Sequence, residues 1–194
     1  MRRIGQQLGV EAMSLYNHVA DKDDILAGIV DLVVGEIDLD RDAHDWKAAV
    51  RQVAVSAHAV LLRHPWAGRL LNSSTSALGP ERMRYMDLLL RYLREGGFSP
   101  ELTDLAYHTL DSHITGFTLW QLSFPFNSEE LAEVGWRFLR ELPAEKFPDL
   151  HEHVRQHLEE AREGDQSEFE FGLDLIVDGL ERVRNRTGAG GADA

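Results

Sequence analysis

Near the amino end, Met13, Ser14, Tyr16, Asn17 and His18 crowd into a short stretch with Ala12 before them, Arg2 and Arg3 ahead and Lys22 behind. The face is mixed and aromatic, and cations flank it. Such a set suits DNA, since side-chain amides and apolar groups read base edges while Lys and Arg hold phosphates. A second set is apolar with a few polar members: Val53, Ala57, Leu61, Trp66, Leu70, Met86, Leu89, Phe117, Trp120 and Phe124, mixed with His58, His113 and Gln121. Pockets for organic ligands have this composition, and so does ordinary core. Taken alone, each position fits core better. His153 and His157 stand four apart on one helix, a metal-chelating spacing, with His151 and Glu160 near. They do not form His-Glu-x-x-His, and Glu152, Arg155 and Glu159 surround them, so a solvated helix face is the better reading. His113 has no Ser or Asp partner at nucleophile–base spacing. No catalytic set, metal or cofactor is expected, and the chain does not read as an enzyme. Gly188 to Gly191 follow no strand and make no phosphate loop.

The elements that carry these residues are helical throughout. Ile4 and Leu8 give one apolar face, Gly9 ends that helix in the left-handed conformation, and Val10 packs inward. Glu11 to Val19 form a short helix with Leu15 and Val19 turned to the core. This is a helix–turn–helix, whose second helix enters the major groove. Asp21 caps a helix to about Ile37, with Ile25, Ile29, Leu32 and Val33 on one face. A polar linker follows at 38–45. Asp45 caps a long helix to His64, which Pro65 stops. Asn72 to Gly79 reads as a loop, and Pro80 takes the first position of a helix ending at Gly96-Gly97. Further helices are predicted over 101–123, 128–142 and 148–163. Ser167-x-x-Glu170 has capping-box spacing and opens a last helix to about Arg184. The fold class is all-α, with a helix–turn–helix domain at 1–37, a larger helical domain at 45–185, and a disordered tail at 186–194.

Two helices are apolar on more than one face. Over 101–123, Tyr107, Leu110, Ile114 and Phe117 make one stripe, and Ala106, Thr109, His113, Gly116 and Trp120 a second. Over 167–184, Phe169, Leu173, Ile176, Leu180 and Val183 make one stripe, and Gly172, Leu175 and Gly179 another. A surface helix needs one apolar face. The second face means either burial in a large core or a partner; 194 residues do not easily enclose two whole helices, so a homodimer through them is expected, with Gly172 and Gly179 at close approach.

Composition narrows the class. A chain of 194 residues buries a sizeable core without staples. It has no cysteine, which excludes disulfides and thiolate chemistry and fits a cytoplasmic location. No apolar run or leader suggests a membrane partner. The net charge is −13, but the acid is uneven. Residues 1–20 carry Arg2 and Arg3 against Glu11. The excess lies downstream, at Asp23-Asp24, 38–45, Glu129-Glu130 and 159–170. A neutral-to-basic tip on an acidic body keeps the body off a duplex.

The run Ile4…Gly9-Val10…Ser14-Leu15-Tyr16…His18-Val19…Lys22…Leu26 resembles the DNA-binding domain of the tetracycline-repressor (TetR) family. Leu15-Tyr16-x-His18-Val19 followed by Lys22 is the specific part. Looser similarity continues through Asp45-Trp46, Leu61-Leu62-Arg63, Leu90-Arg91-Tyr92, Gly97-Phe98-Ser99 and Ser112-His113 to Phe171-Gly172-Leu173-x-x-Ile176-x-x-Gly179-x-Glu181. The resemblance implies a dimeric repressor that binds palindromic operator DNA and is released by a small organic ligand held among helices 45–64, 80–95 and 101–123. It also implies a first helix of roughly 20 residues before the segment that begins here, so that 1–37 is a partial DNA-binding domain and 45–185 the ligand-binding and dimerisation domain. A ligand-binding dimer without DNA binding is therefore the alternative. The tetracycline-binding members chelate drug and magnesium through a His, a Thr and a Glu, positions that align with Leu71, Ser74 and Gln121. The Asn and Phe that grip the drug align with Val53 and Ala57. The His and the carboxylate of that chelate are missing here, so tetracycline is not expected as the ligand, and a larger, more apolar molecule is.

Overall fold

The computed structural model describes residues 1–39, 45–71, 78–123, 128–159 and 167–189. Those residues form α1 (Arg2–Leu8), α2 (Ala12–Leu15), α3 (Lys22–Val34), α4 (Trp46–Arg63), α5 (Pro65–Leu71), α6 (Pro80–Glu95), α7 (Pro100–Leu122), α8 (Ser128–Glu141), α9 (Pro148–Glu159) and α10 (Glu168–Ala189). No strand occurs among them. They fall into two compact units: Met1–Leu122 with the segment from Phe169, and Ser123–Glu168.

The first unit is built on α4. Asp45 caps it by accepting from the Lys47 amide, as its place before Trp46 predicts. The buried face of α4, including Val50, Val53, Ala54, Ala57 and Val60, recurs at helical spacing. Opposite it lie Leu89, Tyr92 and Leu93 of α6 and Ala106, Leu110 and Ile114 of α7. Burying each Val, Leu or Ile among them contributes about 1.5–3 kcal/mol. A row of ion pairs fixes α10 on α4: Lys47 Nζ lies 2.8 Å from Asp178 and 2.9 Å from Glu181, and Arg51 lies 3.0 Å from Asp174 and 3.2 Å from Glu170. Farther along α10, Arg184 donates to the Gly96 carbonyl at 2.8 Å and stands over the Trp46 ring. Gly96 is required there, because a Cβ would lie 2.7 Å from Trp46 Cγ.

Several elements differ from expectation. The short helix after the turn is regular only over Ala12–Leu15, and residues 16–18 continue as turns with i→i−3 bonds. On α3 the buried face is Val30, Asp31, Val33 and Val34, continued by Ile37, since this side meets α4, α5 and α6. Ile29 and Leu32, expected inside, are exposed, as are Ile4, Leu8 and Val10. Pro65 stops α4 and also starts α5, being free to sit in a first helical turn.

The second stripe of α7 keeps Thr109, Gly116 and Trp120 outward, but Leu105 and Ser112 replace Ala106 and His113. Ala106 is fully buried, and the exposed stripe runs Leu105, Thr109, Ser112, Gly116 and Trp120. His113 turns inward, where its Nε2 lies 3.0 Å from the Phe169 carbonyl. Gly172 makes room for that ring, since a Cβ would lie 2.7 Å from His113 Cε1. The close approach at Gly172 is therefore met within the chain. α10 runs past Arg184, and residues 187–189 are helical rather than a loose tail. Thr187 Oγ1 donates back to the Val183 and Arg184 carbonyls. Residues 40–44 of the linker, most of the 72–79 loop with Ser74, Phe124, the end of the helix read to Glu163 and the tail beyond Ala189 lie outside the described residues.

In the second unit α8 and α9 are joined by a turn in which the Lys146 and Phe147 amides donate to the Pro143 carbonyl. Gly135 lets Leu158 of α9 lie against α8, because a Cβ there would meet Leu158 Cδ2 at 2.6 Å. The His153 and His157 rings stack 6.5 Å apart on α9.

Candidate DNA-reading tip and ligand cavity

The tip is set by two turns. Gly9 has φ 69°; its amide donates to Gln6 and the Val10 amide to Gly5. This double bond pattern closes a helix with a left-handed residue, which glycine adopts without penalty. At the second turn Asp21 accepts from the Asp24 amide, and Asp24 reaches back to the Ala20 amide. This reciprocal cap fixes the angle at which α3 leaves the tip. Between the turns, Met13 is 72% exposed. Tyr16, Asn17, His18 and Lys22 are exposed too, as are Arg2 and Arg3 on α1. Ser14 is half-buried and gives its hydroxyl to the Glu11 carbonyl. Leu15 and Val19 sit underneath, half-buried. Ala12 opens α2.

Beyond its last turn, α3 is pinned to α4. Glu36 pairs with Arg63 at 2.9 Å and His64 at 3.0 Å. The Arg63 hydrogen bond, then that of His64, holds the Glu36 carboxyl below the usual range. The Asp38 amide donates to Ser56 Oγ, and Gln52 donates to the Asp38 carboxylate.

A cavity of about 50 Å³ lies between α3, α4, α6 and α7, with Leu71 at the end of α5 also on its wall. Its walls differ in character. Val33, Val34, Ile37, Ala57, Val60 and Leu61 make an apolar side on α3 and its continuation and on α4. Arg82, Tyr85 and Met86 of α6 and Tyr107, Asp111, Ile114 and Thr115 of α7 make a more polar side. Burial raises the Asp111 carboxyl, opposed by the Arg82 and His108 charges. Burial, and then Asp111, raises both phenols: Tyr107 is pushed up to about 12, and Tyr85 rises well above its ordinary value. The polar side therefore presents neutral hydroxyls beside an opposed Asp and Arg.

Of the pocket residues expected from sequence, Ala57, Leu61 and Met86 line this cavity. Val53 is buried in the core beside it. His113 and Phe117 belong to an aromatic cluster centred on Phe169, whose ring is stacked by His58 at 4.0 Å and His113 at 4.9 Å. Trp66, Trp120 and Gln121 are exposed, and Leu70 is half-buried. The residues sequence reasoning missed are the α3 wall and the polar set. Asp111 had one signal, since it interrupts the stripe Tyr107–Leu110–Ile114.

Within the aromatic cluster, Thr118 gives its proton to the Ile114 carbonyl at 2.6 Å. It therefore accepts from His58 Nδ1 at 2.7 Å, which places a proton on that nitrogen. Burial, and then the His113 charge, lowers the His58 pKa.

Residues 40–184 match the tetracyclin repressor-like C-terminal domain family. The transcriptional repressor DrrR1 of Streptomyces coeruleorubidus is 32% identical over 93% of this chain and 69% of its own length. The class C tetracycline repressor protein of Escherichia coli is 28% identical, over 96% of this chain and 83% of its own. The crystal structure of apo ActR from Streptomyces coelicolor superposes with a TM-score of 0.78 at 27% identity, covering 96% of this chain and 86% of that one. ActR in complex with actinorhodin gives 0.75 at 28% identity, covering 95% and 87%. The helical fold, with an exposed helix–turn–helix tip on a cavity-bearing body, is thus that of a regulator. The chain belongs to the TetR family of transcriptional regulators.

Proposed function

We propose that this protein is a cytoplasmic, ligand-responsive repressor that binds palindromic operator DNA as a homodimer. The observation that carries the reading is α3, which joins the tip at Asp21 and lines the cavity through Val33 and Val34. In a two-fold dimer the recognition helices must stand about 34 Å apart to meet successive major grooves. A ligand in the cavity presses on the helix that sets this separation. It lowers DNA affinity only if it binds the two separations unequally. Met13 and Asn17 are assigned to base edges, and Lys22, Arg2 and Arg3 to phosphate. Ala12, Ser14, Tyr16 and His18 complete the DNA face.

The dimer is assigned to α7 and α10, whose outer sides expose Leu105, Trp120, Phe171 and Leu175. The ligand is assigned as an organic molecule with a large apolar part, seated against Ala57, Leu61 and Met86, with hydrogen-bonding groups toward Tyr107 and Asp111. ActR, solved with actinorhodin, supplies the first compound to try. Actinorhodin should be screened against the protein–DNA complex, with Tyr107→Phe, which removes a proposed ligand partner without adding volume, as the control. Release of the wild type at lower concentration than of Tyr107→Phe is expected. Equal release of both would overturn the cavity assignment, and failure to bind any duplex would overturn the repressor reading.

A further inference from the structure

Helix α6 begins without a cap of its own. Gly79 has no side chain, and Pro80 has no N–H to satisfy. The next two amides, of Glu81 and Arg82, donate to Asp31 on α3, at 3.2 Å to Oδ2 and 2.9 Å to Oδ1. Asp31 is 9% exposed. The fit is close, since a Cβ on Gly79 would stand 2.2 Å from Asp31 Cγ. A carboxylate at a helix amino end is favourable for its charge as well as its hydrogen bonds.

Three residues beyond Asp31, Val34 lines the cavity, and Arg82, which donates to Asp31, lines it too. Asp31 therefore ties the apolar wall to the polar wall at their shared edge. A cavity of about 50 Å³ holds a few waters. Pockets for organic ligands run to hundreds of Å³. A ligand must part the walls, and Asp31 opposes parting between α3 and α6.

We propose that Asp31 is the latch between cavity and tip. While Glu81 and Arg82 donate to it, α3 is held in the DNA-competent position, and a ligand frees α3 by drawing the α6 terminus away. The proposal rests on the ligand-responsive repressor reading. By linkage, DNA that selects the latched state must also tighten the latch.

Hydrogen exchange at the Glu81 and Arg82 amides tests this without a known ligand. The wild-type protein is measured free and saturated with a duplex selected from a random-sequence pool. Exchange at both amides should slow by about fivefold or more with DNA, within the usual range of coupling between sites. Asp31→Ala removes the acceptor, and Gly79→Ala displaces it from the opposite side. Each should weaken duplex binding by about five- to tenfold. Both should leave the salt slope unchanged, because no phosphate contact is lost. The double variant should bind no more weakly than the weaker single, because both break one contact.

A residue that only caps α6 would show the same exchange with and without DNA. Tight duplex binding with unchanged exchange at both amides would overturn the latch alone, and so would full affinity in Gly79→Ala. A wild-type protein that selects no duplex would overturn the repressor reading, and the latch with it.

Discussion

Lys22 is exposed beside the second turn of the tip, where a cation can meet phosphate without touching a base. Lys22→Ala should weaken binding to every sequence alike and flatten the slope of log affinity against log salt by about 0.9. Anisotropy titrations over a salt series would read both effects; an unchanged slope would remove Lys22 from the interface. His58 gives a prediction of the opposite kind, in the body. Its pKa is lowered on folding from 6.5, so the folded state binds a proton more weakly than the unfolded chain. Its contribution is complete above pH 6.5 and is lost as the pH falls below that value. His58→Gln cannot titrate and keeps a donor for Thr118. Urea midpoints should fall more steeply for the wild type than for His58→Gln between about pH 7 and pH 5. Parallel curves would show that His58 does not link stability to pH. These roles differ in legibility. The role proposed for Lys22 rests on its place after Leu15-Tyr16-x-His18-Val19, and its exposure agrees with that role. The His58–Phe169 stack joins residues far apart in the chain, which no local spacing announces.

At the scale of elements, capping chemistry was legible, and the facing of helices less so. Asp45 before Trp46 and Pro80 at a first helical position each name a helix start by a local rule, and both hold. The inward face of α3 did not follow from its apolar residues, because Ile29 and Leu32 are apolar yet outward while Asp31 is inward. The side of α3 that meets α4, α5 and α6 is the inward one, and there Asp31 finds its donors fifty residues on. Glycines in helices show the same dependence on context. Gly172→Ala would place a Cβ 2.7 Å from His113 Cε1, and the hydrogen bond to the Phe169 carbonyl holds that ring in place. It should destabilise by about 1–3 kcal/mol, as overpacking does. Gly28→Ala, on α3, meets nothing within 4 Å. It should stabilise by about 0.5–1 kcal/mol through helix propensity. Thermal melts that moved both variants the same way would contradict this account of His113.

At the scale of the whole molecule, the outer sides of α7 and α10 leave Leu105, Trp120, Phe171 and Leu175 in water. An interface that covers them should bury more than about 1,000 Å² in total. A charge at Leu175 cannot be desolvated cheaply there. Sedimentation at micromolar concentration should show a dimer for the wild type and a monomer for Leu175→Glu. A monomeric wild type would remove the two-fold spacing on which DNA reading depends.

In the proposed repressor the tip reads DNA as a pair. Selection from a random-sequence duplex pool with the purified protein puts this to the test. A two-fold symmetric site is expected, with half-sites one helical turn, about 34 Å, apart. Asn17→Ala should relax the preference at matching positions in both halves. A pool that returns no enriched sequence, or an asymmetric one that Asn17→Ala does not alter, would contradict that reading.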